Sequence, residues 1–285
     1  MTIDAPLHPF DEDTEVEARG DGVFDARLTG RWNSLGGVVN GGYYVAVALR
    51  ALGRVLPHPD PLVVSSFFHR PGKPGPIELH TDVARRGRRL STGTVRLLQD
   101  GRELVRTTAS FADLGGAGGA GGAGLDRDGN GGGGVRSIGV AAPDLPPPED
   151  CLDLLAGLEL PDATLAQRVE MRAPAPPGWL SGRPSGDPRA ELWLRLAGRD
   201  ADVRSLPLLV DAAAPVVLEL GAAGSASVEL TTHVRARPAP GWLACRVVTR
   251  HVGAGYHEED LELWDATGRL VAQSRQLAVL LGGSS

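Results

Sequence analysis

Histidine and serine are the side chains of this sequence best suited to metal binding or covalent catalysis, and their spacing limits what they can do. The seven histidines stand apart, and no pair has the short spacing at which one element presents two metal ligands. A serine nucleophile of the hydrolase type needs the pattern Gly-x-Ser-x-Gly, and the segment from Trp32 to Gly36 lacks its first glycine. The sequence therefore predicts neither a metal site nor a serine nucleophile, and it requires no cofactor.

Asn40 stands directly before a long apolar stretch, residues 41–56. Its apolar side chains recur at helical spacing nearly all round, which predicts a buried helix. Asparagine is a favoured N-cap residue, so capping is the simplest role for Asn40. A ligand-binding role is also open, because a helix N-terminus favours developing negative charge, and Gly41 and Gly42 carry no Cβ to obstruct a ligand carbonyl.

Asp211 stands in the same way before a second, shorter apolar segment. A helix is expected from Asp211 to Gly221, with Pro215 tolerated because it falls in the first turn. From the residues alone, N-capping of this helix is the simplest role for Asp211.

Composition and charge exclude two broad classes of function. The chain carries 29 Lys and Arg against 35 Asp and Glu, a net charge of −6, which argues against a general nucleic-acid binder. No apolar run approaches the roughly 20 residues of a membrane span, and the first residues are acidic and polar, unlike a secretory signal. Cys151 and Cys245 stand alone, without a CxxC pair. We expect a soluble, cytoplasmic protein without a nucleic-acid or membrane partner.

A glycine-rich segment divides the chain. Residues 115–134 hold 12 of the 39 glycines and almost no side chains able to pack, which predicts a flexible linker. The chain is expected to form an N-terminal unit at residues 1–114, a Gly/Pro-rich linker at 115–149 and a C-terminal unit at 150–285.

The two units are similar in sequence, as copies of one unit would be. Between matching Arg-Pro and Leu-Val pairs the first spans 34 residues, from Pro71 to Val105, and the second spans 33, from Pro238 to Val271. Early strands are expected at residues 23–28 and 165–172, alternating strand segments at 77–83 and 243–249, and hairpin turns at 99–102 and 266–269. One helix wrapped by an antiparallel sheet, twice over, is an α+β architecture.

Several segments, taken in order, resemble one known family. They are Trp32 with Asn40-Gly41-Gly42, Phe67-Phe68-His69-Arg70-Pro71, LLVDAAAPVV, SVELTTHVRARP and LVAQSRQLA. Their order and spacing are similar to those of double-hotdog acyl-CoA thioesterases of the thioesterase II or TesB-like type. The resemblance implies two tandem hotdog units, each with a long helix wrapped by a curved antiparallel sheet. It also implies hydrolysis of acyl-CoA thioesters without a covalent serine intermediate.

The same resemblance implies that an aspartate, a serine or threonine, and a glutamine together activate a water molecule. Matching LLVDAAAP places the aspartate at Asp211, and a catalytic base then becomes the favoured role for this residue. Matching VAQSRQLA places the glutamine at Gln276, with Gln273 as the poorer alternative. Counted from the Leu-Val pairs, the first unit has Ser110 at the position of Gln276, which suggests one active site per chain, built mostly from the second unit.

The hydroxyl group and the substrate-binding residues are matched less directly. SVEL places the hydroxyl at Ser227 if one residue is inserted before the second Arg-Pro pair, while Thr231 and Thr232 remain alternatives. An acyl chain is expected in a tunnel between the two helices, against Tyr44, Val45 and Val217. The basic cluster at residues 85–89 is either a solvated hairpin tip or a contact for the phosphates of coenzyme A. The expected substrate-binding residues are Asn40, Gly41, Gly42, Tyr44 and Arg88.

The predicted function is hydrolysis of an acyl-CoA to a free acid and coenzyme A, in fatty acid metabolism. One alternative is a hotdog-type enoyl-CoA hydratase, for which His69 or His233 would supply the histidine. The other is a non-catalytic acyl-CoA binding protein. Besides the acyl-CoA, the expected partner is a second copy of the chain, in a homodimer formed through sheet edges.

Overall fold

The computed structural model describes residues 7–115, 139–159 and 164–282. These segments contain three α-helices, which are α1 (Pro9–Asp13), α2 (Gly41–Val55) and α3 (Leu206–Leu209). They also contain fourteen β-strands, which are β1 (Glu17–Gly20), β2 (Val23–Leu28), β3 (Asp60–Phe68), β4 (Gly75–Arg86), β5 (Ser91–Gln99), β6 (Arg102–Ala112), β7 (Leu152–Asp153), β8 (Val169–Ala173), β9 (Arg189–Leu196), β10 (Ser225–Val234), β11 (Leu243–Val248), β12 (Val252–Gly253), β13 (Tyr256–Trp264) and β14 (Leu270–Leu280).

The strands form one antiparallel sheet in which the same topology occurs twice. Its order is β1-β2-β4-β5-β6-β3-β10-β14-β13-β11-β9-β8-β7, with β12 paired to β13. The first unit contributes β2-β4-β5-β6-β3, and the second contributes β9-β11-β13-β14-β10. In each unit the first strand lies at one end, the helix follows it in sequence, and the second strand lies at the other end. This arrangement is a double hotdog, and it confirms the predicted α+β fold.

The two units join through the pairing of β3 with β10. Ser65 lies opposite Thr231 at the middle of this pairing, Phe67 lies opposite Glu229, and Val63 lies opposite His233. Because the strands run antiparallel, each unit presents the same edge to the other about an approximate two-fold axis at the Ser65–Thr231 pair. The sheet therefore continues from one unit into the next.

Helix α2 is the predicted buried helix. Asn40 caps it, since its Oδ1 accepts a hydrogen bond from Tyr43 N at 3.1 Å. Ten of its fifteen residues are buried, so the helix forms the centre of the first unit's core. It ends at Val55, two residues before Pro57, because a residue that precedes proline is disfavoured in the α conformation.

The helix expected from Asp211 to Gly221 is wrong. The helix of the second unit is α3, a single turn that ends at Leu209, and residues 216–220 form a separate 3-10 turn. Pro215 explains the break, because in a helix beginning at Asp211 its ring would clash with the Asp211 carbonyl oxygen four residues earlier. That oxygen accepts a hydrogen bond from Asn40 Nδ2 at 2.9 Å instead. Asp211 is therefore not an N-cap, and residues 164–282 contain no long helix.

The early strand predicted in the first unit is confirmed as β2, but the one predicted in the second unit is misplaced. Residues 165–167 form a 3-10 turn, and β8 begins only at Val169. In the order of the sheet, the counterpart of β2 is β9. The alternating segments lie in β4 and β11, and the predicted turns join β5 to β6 and β13 to β14.

The predicted linker falls largely on residues 116–138, which lie outside the described residues. The part that follows runs along the sheet of the second unit. There Pro146 O accepts a hydrogen bond from Trp193 Nε1 at 2.7 Å, and Ala141 O accepts one from Arg246 Nη1 at 3.3 Å.

Two further features are the state of the cysteines and the length of the helices. Cys151 and Cys245 are free, buried thiols. None of the helices in the described segments is both long and apolar enough to cross a membrane.

Candidate active site

The Asp211 carboxyl group lies at the N-terminus of α2, where the two units meet. Its Oδ2 accepts hydrogen bonds from Gly42 N at 2.7 Å and from Asn40 Nδ2 at 2.9 Å. Asn40 therefore has two roles, since its Oδ1 caps α2 and its amide nitrogen binds Asp211. The turn after α3 supplies the carboxyl group, and the first unit's helix supplies the donors that hold it.

Burial changes the basicity of Asp211. The residue is half-buried, and desolvation raises its pKa to about 6, while hydrogen bonds from Gly42, Asn40 and Gly41 oppose the rise. The group is therefore mostly ionised at neutral pH, yet it is more basic than an ordinary aspartate. Both properties suit a general base.

Gly41 and Gly42 do not leave the open space for a ligand carbonyl that their sequence suggested. A Cβ on Gly42 would lie 2.7 Å from Leu208 Cα, and a Cβ on Gly41 would lie 2.9 Å from Asp211 Oδ2 and 3.0 Å from Phe68 Cζ. Both glycines are needed for close packing, because α3 and Asp211 fill the space that a side chain would take. The Gly42 N–H is already bound to Asp211 and is not free for an oxyanion.

Gln276 lies on the inner face of β14, the face that covers the core. Its neighbours on that face, Ser274 and Ala278, are buried, whereas Arg275 and Leu277 point outward and are exposed. The Gln276 amide donates a hydrogen bond from Nε2 to Ser227 Oγ. Two of the predicted site residues are therefore in direct contact.

A β-bulge in β10 turns Ser227 toward Gln276. Ser227 lies opposite Ala278 and Glu229 lies opposite Leu277, so Val228 is one extra residue in the strand. Without the bulge, Ser227 would share the outer face with Glu229. The extra residue places the Ser227 hydroxyl on the inner face.

The other hydroxyl and glutamine residues considered from the sequence differ in the face of the sheet on which they lie. Thr231 lies on the outer face, where its Oγ1 contacts Ser65 Oγ and donates to Glu229 Oε1 at 2.5 Å, so it does not belong with Gln276. Gln273 is also on the outer face and donates to Glu262 at 2.9 Å. Thr232 lies on the inner face and is 1% exposed.

The position in the first unit that corresponds to Gln276 is Ala109, and Ser110 is one residue too far. Around the Ser65–Thr231 pair, Val64 in β3 corresponds to Leu230 in β10. Ala109 is paired with Val64, and Gln276 is paired with Leu230. Counting from the Leu-Val pairs gave Ser110 because those pairs are not equivalent in the sheet: the bulge residue is Leu104 in β6 and Val271 in β14, so Leu104 corresponds to Val271 and not to Leu270.

Glu259 is a buried carboxyl group at the site that the sequence interpretation missed. It lies on the inner face of β13, directly opposite Gln276, and its Oε2 accepts a hydrogen bond from Val216 N at 2.8 Å. Burial raises its pKa to about 8, the Val216 hydrogen bond opposes this, and the charges of Asp211 and Glu258 add to it. The sequence did carry a signal, since Glu259 shares the strand period of the buried Leu261 and Leu263.

Packing surrounds the three residues expected to line the acyl tunnel between the helices, and the tunnel itself stays a prediction. Tyr44, Val45 and Val217 are all buried, and α2 touches α3 at Gly42. The Tyr44 hydroxyl accepts a hydrogen bond from Gly72 N at 2.7 Å, on the side of α2 that faces the first unit's loop. Tyr44 therefore belongs to the first unit's core in this structure.

Arg88 lies far from Asp211. It is exposed at the tip of the β4–β5 hairpin, and His58, just beyond the C-terminus of α2, contacts its carbonyl oxygen at 3.3 Å. At about 1.5 Å per residue, α2 separates the two sites by roughly 20 Å. A contact between Arg88 and the substrate stays a prediction.

The histidines offered for a hydratase do not meet Asp211. His69 follows β3 and lies 3.4 Å from Glu103, and His233 is exposed on the outer face of β10. Within the described segments, no group of three or more His, Cys, Asp or Glu side chains is placed to hold a metal ion.

One surface cavity, of about 620 Å³, lies on the outer face of the second unit's sheet. Its guanidinium groups belong to Arg189, Arg246 and Arg250, and each is paired with a carboxylate. The cavity is therefore separated by the sheet from the inner face that carries Gln276 and Glu259.

Comparisons with known proteins agree with the double-hotdog fold. The family described as the acyl-CoA thioesterase N-terminal domain matches residues 28–112, and the acyl-CoA thioesterase C-terminal domain matches residues 148–280. An uncharacterized protein of Mycobacterium tuberculosis is 31% identical over 294 residues, which cover 98% of each chain.

Two crystal structures are similar along nearly the whole chain. A proposed thioesterase II of Thermobifida fusca is 32% identical with a TM-score of 0.82, over 98% of this chain and 99% of that one. An acyl-CoA thioesterase II of Mycobacterium marinum is 19% identical with a TM-score of 0.66, over 96% of this chain and 99% of that one, and it shares the fold.

Proposed function

The chain belongs to the acyl-CoA thioesterase family, and on that premise we propose that it hydrolyses acyl-CoA thioesters to a free carboxylic acid and coenzyme A by direct attack of water. The position of Asp211 carries this proposal. A half-buried carboxylate, held by Asn40 and Gly42 and mostly ionised at neutral pH, is the group that direct water attack requires.

Asp211 is the general base of the proposed reaction. It accepts a proton from the attacking water while the water oxygen bonds to the thioester carbonyl carbon. The tetrahedral intermediate then breaks its C–S bond, and the sulfur leaves as a thiolate that takes up the proton from Asp211. The base is regenerated, and the products are the acid and the free thiol.

Ser227 and Gln276 are the proposed donors to the water or to the developing oxyanion. Gln276 donates to Ser227 Oγ, so the hydroxyl proton of Ser227 is free to be donated onward. Losing one donor of this kind costs enzymes about 10²- to 10³-fold in kcat. Both side chains come from the second unit, so we propose one active site per chain, at the junction where α2 holds Asp211.

The test is release of free thiol from butanoyl-, decanoyl- and hexadecanoyl-CoA by the wild type and by Asp211→Asn. Removing the base should lower kcat by about 10²- to 10⁴-fold. The fold should survive, because the asparagine side chain keeps an oxygen that accepts the hydrogen bonds from Gly42 and Asn40. We therefore expect the melting temperature to stay within a few degrees of the wild-type value. Asp187→Asn, the same change at an exposed residue, is the matched control.

Either of two outcomes would contradict the proposal. One is turnover by Asp211→Asn at the wild-type rate. The other is tight binding of these acyl-CoAs by the wild type without thiol release, which would favour a binding protein.

A further inference from the structure

Glu259 is a buried carboxyl group that the proposed hydrolysis does not use. It is 7% exposed, and its Oε2 accepts a hydrogen bond from Val216 N at 2.8 Å. Val216 begins the 3-10 turn at residues 216–220, five residues after Asp211, so this bond connects Glu259 to the segment that carries the base. A buried carboxyl group with one backbone partner is a costly feature unless it is neutral.

Within the part of the chain that the structure describes, none of the charged groups that shift the pKa of Glu259 is a cation. Asp211 faces it from the turn after α3, Cys245 from β11, and His257 from its own side of β13. Glu258 flanks it on the outer face, and β14 presents neutral side chains opposite it. Burial lowers the pKa of His257 and raises that of Cys245, so both are neutral at physiological pH. Among the described residues, the two charges that act on Glu259 are therefore both negative.

Glu259 lies directly opposite Gln276 in the antiparallel pair, on the same face of the sheet. Side chains in such pairs have Cβ atoms about 4.5–5.5 Å apart, close enough for a glutamate and a glutamine to meet. Gln276 uses Nε2 to donate to Ser227, while no described residue donates to its Oε1. A carboxylic acid supplies the one donor that this oxygen lacks.

We propose that Glu259 is a positioning residue, protonated in the active enzyme, that donates a hydrogen bond to Gln276 Oε1 and so fixes the direction of the hydrogen bonds from Gln276 through Ser227. The inference rests on the proposed thioester hydrolysis. With Glu259 protonated, its O–H points to Gln276 Oε1, Gln276 Nε2 points to Ser227 Oγ, and the Ser227 proton points to the substrate.

Ionisation of Glu259 would reverse the direction of these hydrogen bonds, which we call the donor relay. A carboxylate accepts hydrogen bonds only, so the Gln276 amide would rotate to present Nε2 to Glu259 and Oε1 to Ser227. Ser227 would then donate its proton to Gln276 and offer a lone pair to the substrate. The oxyanion would lose its donor, although no residue had moved by more than one amide rotation.

The two carboxyl groups then set opposite limits on activity. Asp211 must be ionised and Glu259 protonated, and their pKa values of about 6 and about 8 leave a window between them. A bell-shaped pH profile is therefore expected, with kcat/KM rising as Asp211 ionises and falling as Glu259 ionises.

The test is the pH profile of kcat/KM for thiol release, measured with the wild type, Glu259→Gln and Glu259→Leu. At every pH, glutamine can accept the hydrogen bond from Val216 N and donate one to Gln276. The Glu259→Gln variant should therefore keep most of the activity that Glu259→Leu loses. Its kcat/KM should not fall at alkaline pH. Leucine should cost at least tenfold between the two pKa values, and the loss should shrink at alkaline pH as Glu259 ionises in the wild type. Glu258→Gln, on the outer face of the same strand, is the matched control: it should keep the wild-type maximum and the alkaline fall, with the fall moved to a slightly lower pH because the Glu258 charge no longer raises the pKa of Glu259.

The Gln variant separates this role from a purely structural one. Suppose that Glu259 served only to accept the hydrogen bond from Val216 N. Its carboxylate would accept that bond at least as well as its acid form does, so ionisation of Glu259 would cost no activity. An alkaline fall that persists unchanged in Glu259→Gln would overturn the proposal, as would Glu259→Leu at wild-type activity.

A second measurement needs no turnover. Difference infrared titration of the wild type against Glu259→Gln should show a protonated carboxyl band at neutral pH that the variant lacks. Absence of that band would overturn the proposal even if the enzyme hydrolyses acyl-CoA. If the wild type releases no thiol from any acyl-CoA tested, the proposed hydrolysis fails, while the infrared result still decides the protonation of Glu259.

Discussion

The two hotdog units have the same strand topology but place different side chains at three matched positions on the inner face. The register of each unit, counted from the Ser65–Thr231 pair, matches these positions one to one. The first unit has Pro61, Gly93 and Ala109 where the second has Ser227, Glu259 and Gln276.

The helices explain this difference. In the first unit α2 runs for fifteen residues, and the Leu52 side chain packs 3.1 Å from the position of a Cβ on Gly93. Only small residues fit beneath it. In the second unit α3 has four residues, so the corresponding part of the sheet is not covered by a long helix and can carry polar side chains.

A backbone feature that both units share carries a polar side chain in only one. A β-bulge follows Pro61 in β3 and Ser227 in β10, at matched positions. Proline gives that position no polar group, whereas serine gives it a hydroxyl on the inner face. The two units thus share one geometry, and the shorter helix of the second leaves room for the proposed site.

Converting the second unit's residues toward those of the first should have the largest effect. Gln276→Ala and Ser227→Ala should each lower kcat by about 10²-fold, because each breaks the donor relay to the oxyanion. The double variant should lose little more than either single one, since residues that act as a unit are not additive. The rate of thiol release at saturating acyl-CoA gives kcat for the two single variants and for the double variant.

Thr231→Val is the matched control for this prediction, because Thr231 lies on the outer face of the same strand as Ser227. It should change kcat by less than twofold. Fully additive losses in the double variant would show that Ser227 and Gln276 act separately and would remove the relay from the account.

The converse change in the first unit should affect stability and not activity. Ala109 is 1% exposed beneath α2, so Ala109→Gln would overpack the core and bury an amide, at a cost of about 1–3 kcal/mol. Chemical denaturation measures the loss, and the kcat of the folded protein should stay within twofold. Thr108→Gln, on the exposed face of the same strand, is the control, and equal losses in both variants would contradict the matched positions.

The sequence predicted the fold well where local patterns decide it. The helix at 41–56, the strands at 77–83 and 243–249 and both hairpin turns were found because periodicity and turn residues are local signals. The second unit's helix was misplaced because Pro215 was judged by its place in a first turn, whereas its ring clashes with the carbonyl four residues before it.

The site could be predicted only in part, for a physical reason. Asp211, Gln276 and Ser227 came from family resemblance, but the face of each strand depends on bulges such as the one at Ser227, which no alternation pattern shows. Ser110 was counted where the register places Ala109 because Leu104 was matched to Leu270, whereas the sheet matches it to Val271. Glu259 shares the two-residue period of the buried residues in its strand, so the sequence carried a signal that it is buried. It belongs to no motif of the resemblance, and it was therefore missed.

The central claim, that Asp211 activates water and does not attack the thioester itself, is tested most directly by a single turnover in heavy-oxygen water. With enzyme in excess over acyl-CoA, direct attack of water should place the label in the released carboxylic acid in the first turnover and leave the Asp211 carboxyl group unlabelled. An unlabelled acid, with the heavy oxygen in Asp211, would mean that an acyl-enzyme anhydride forms, and direct attack of water would be wrong.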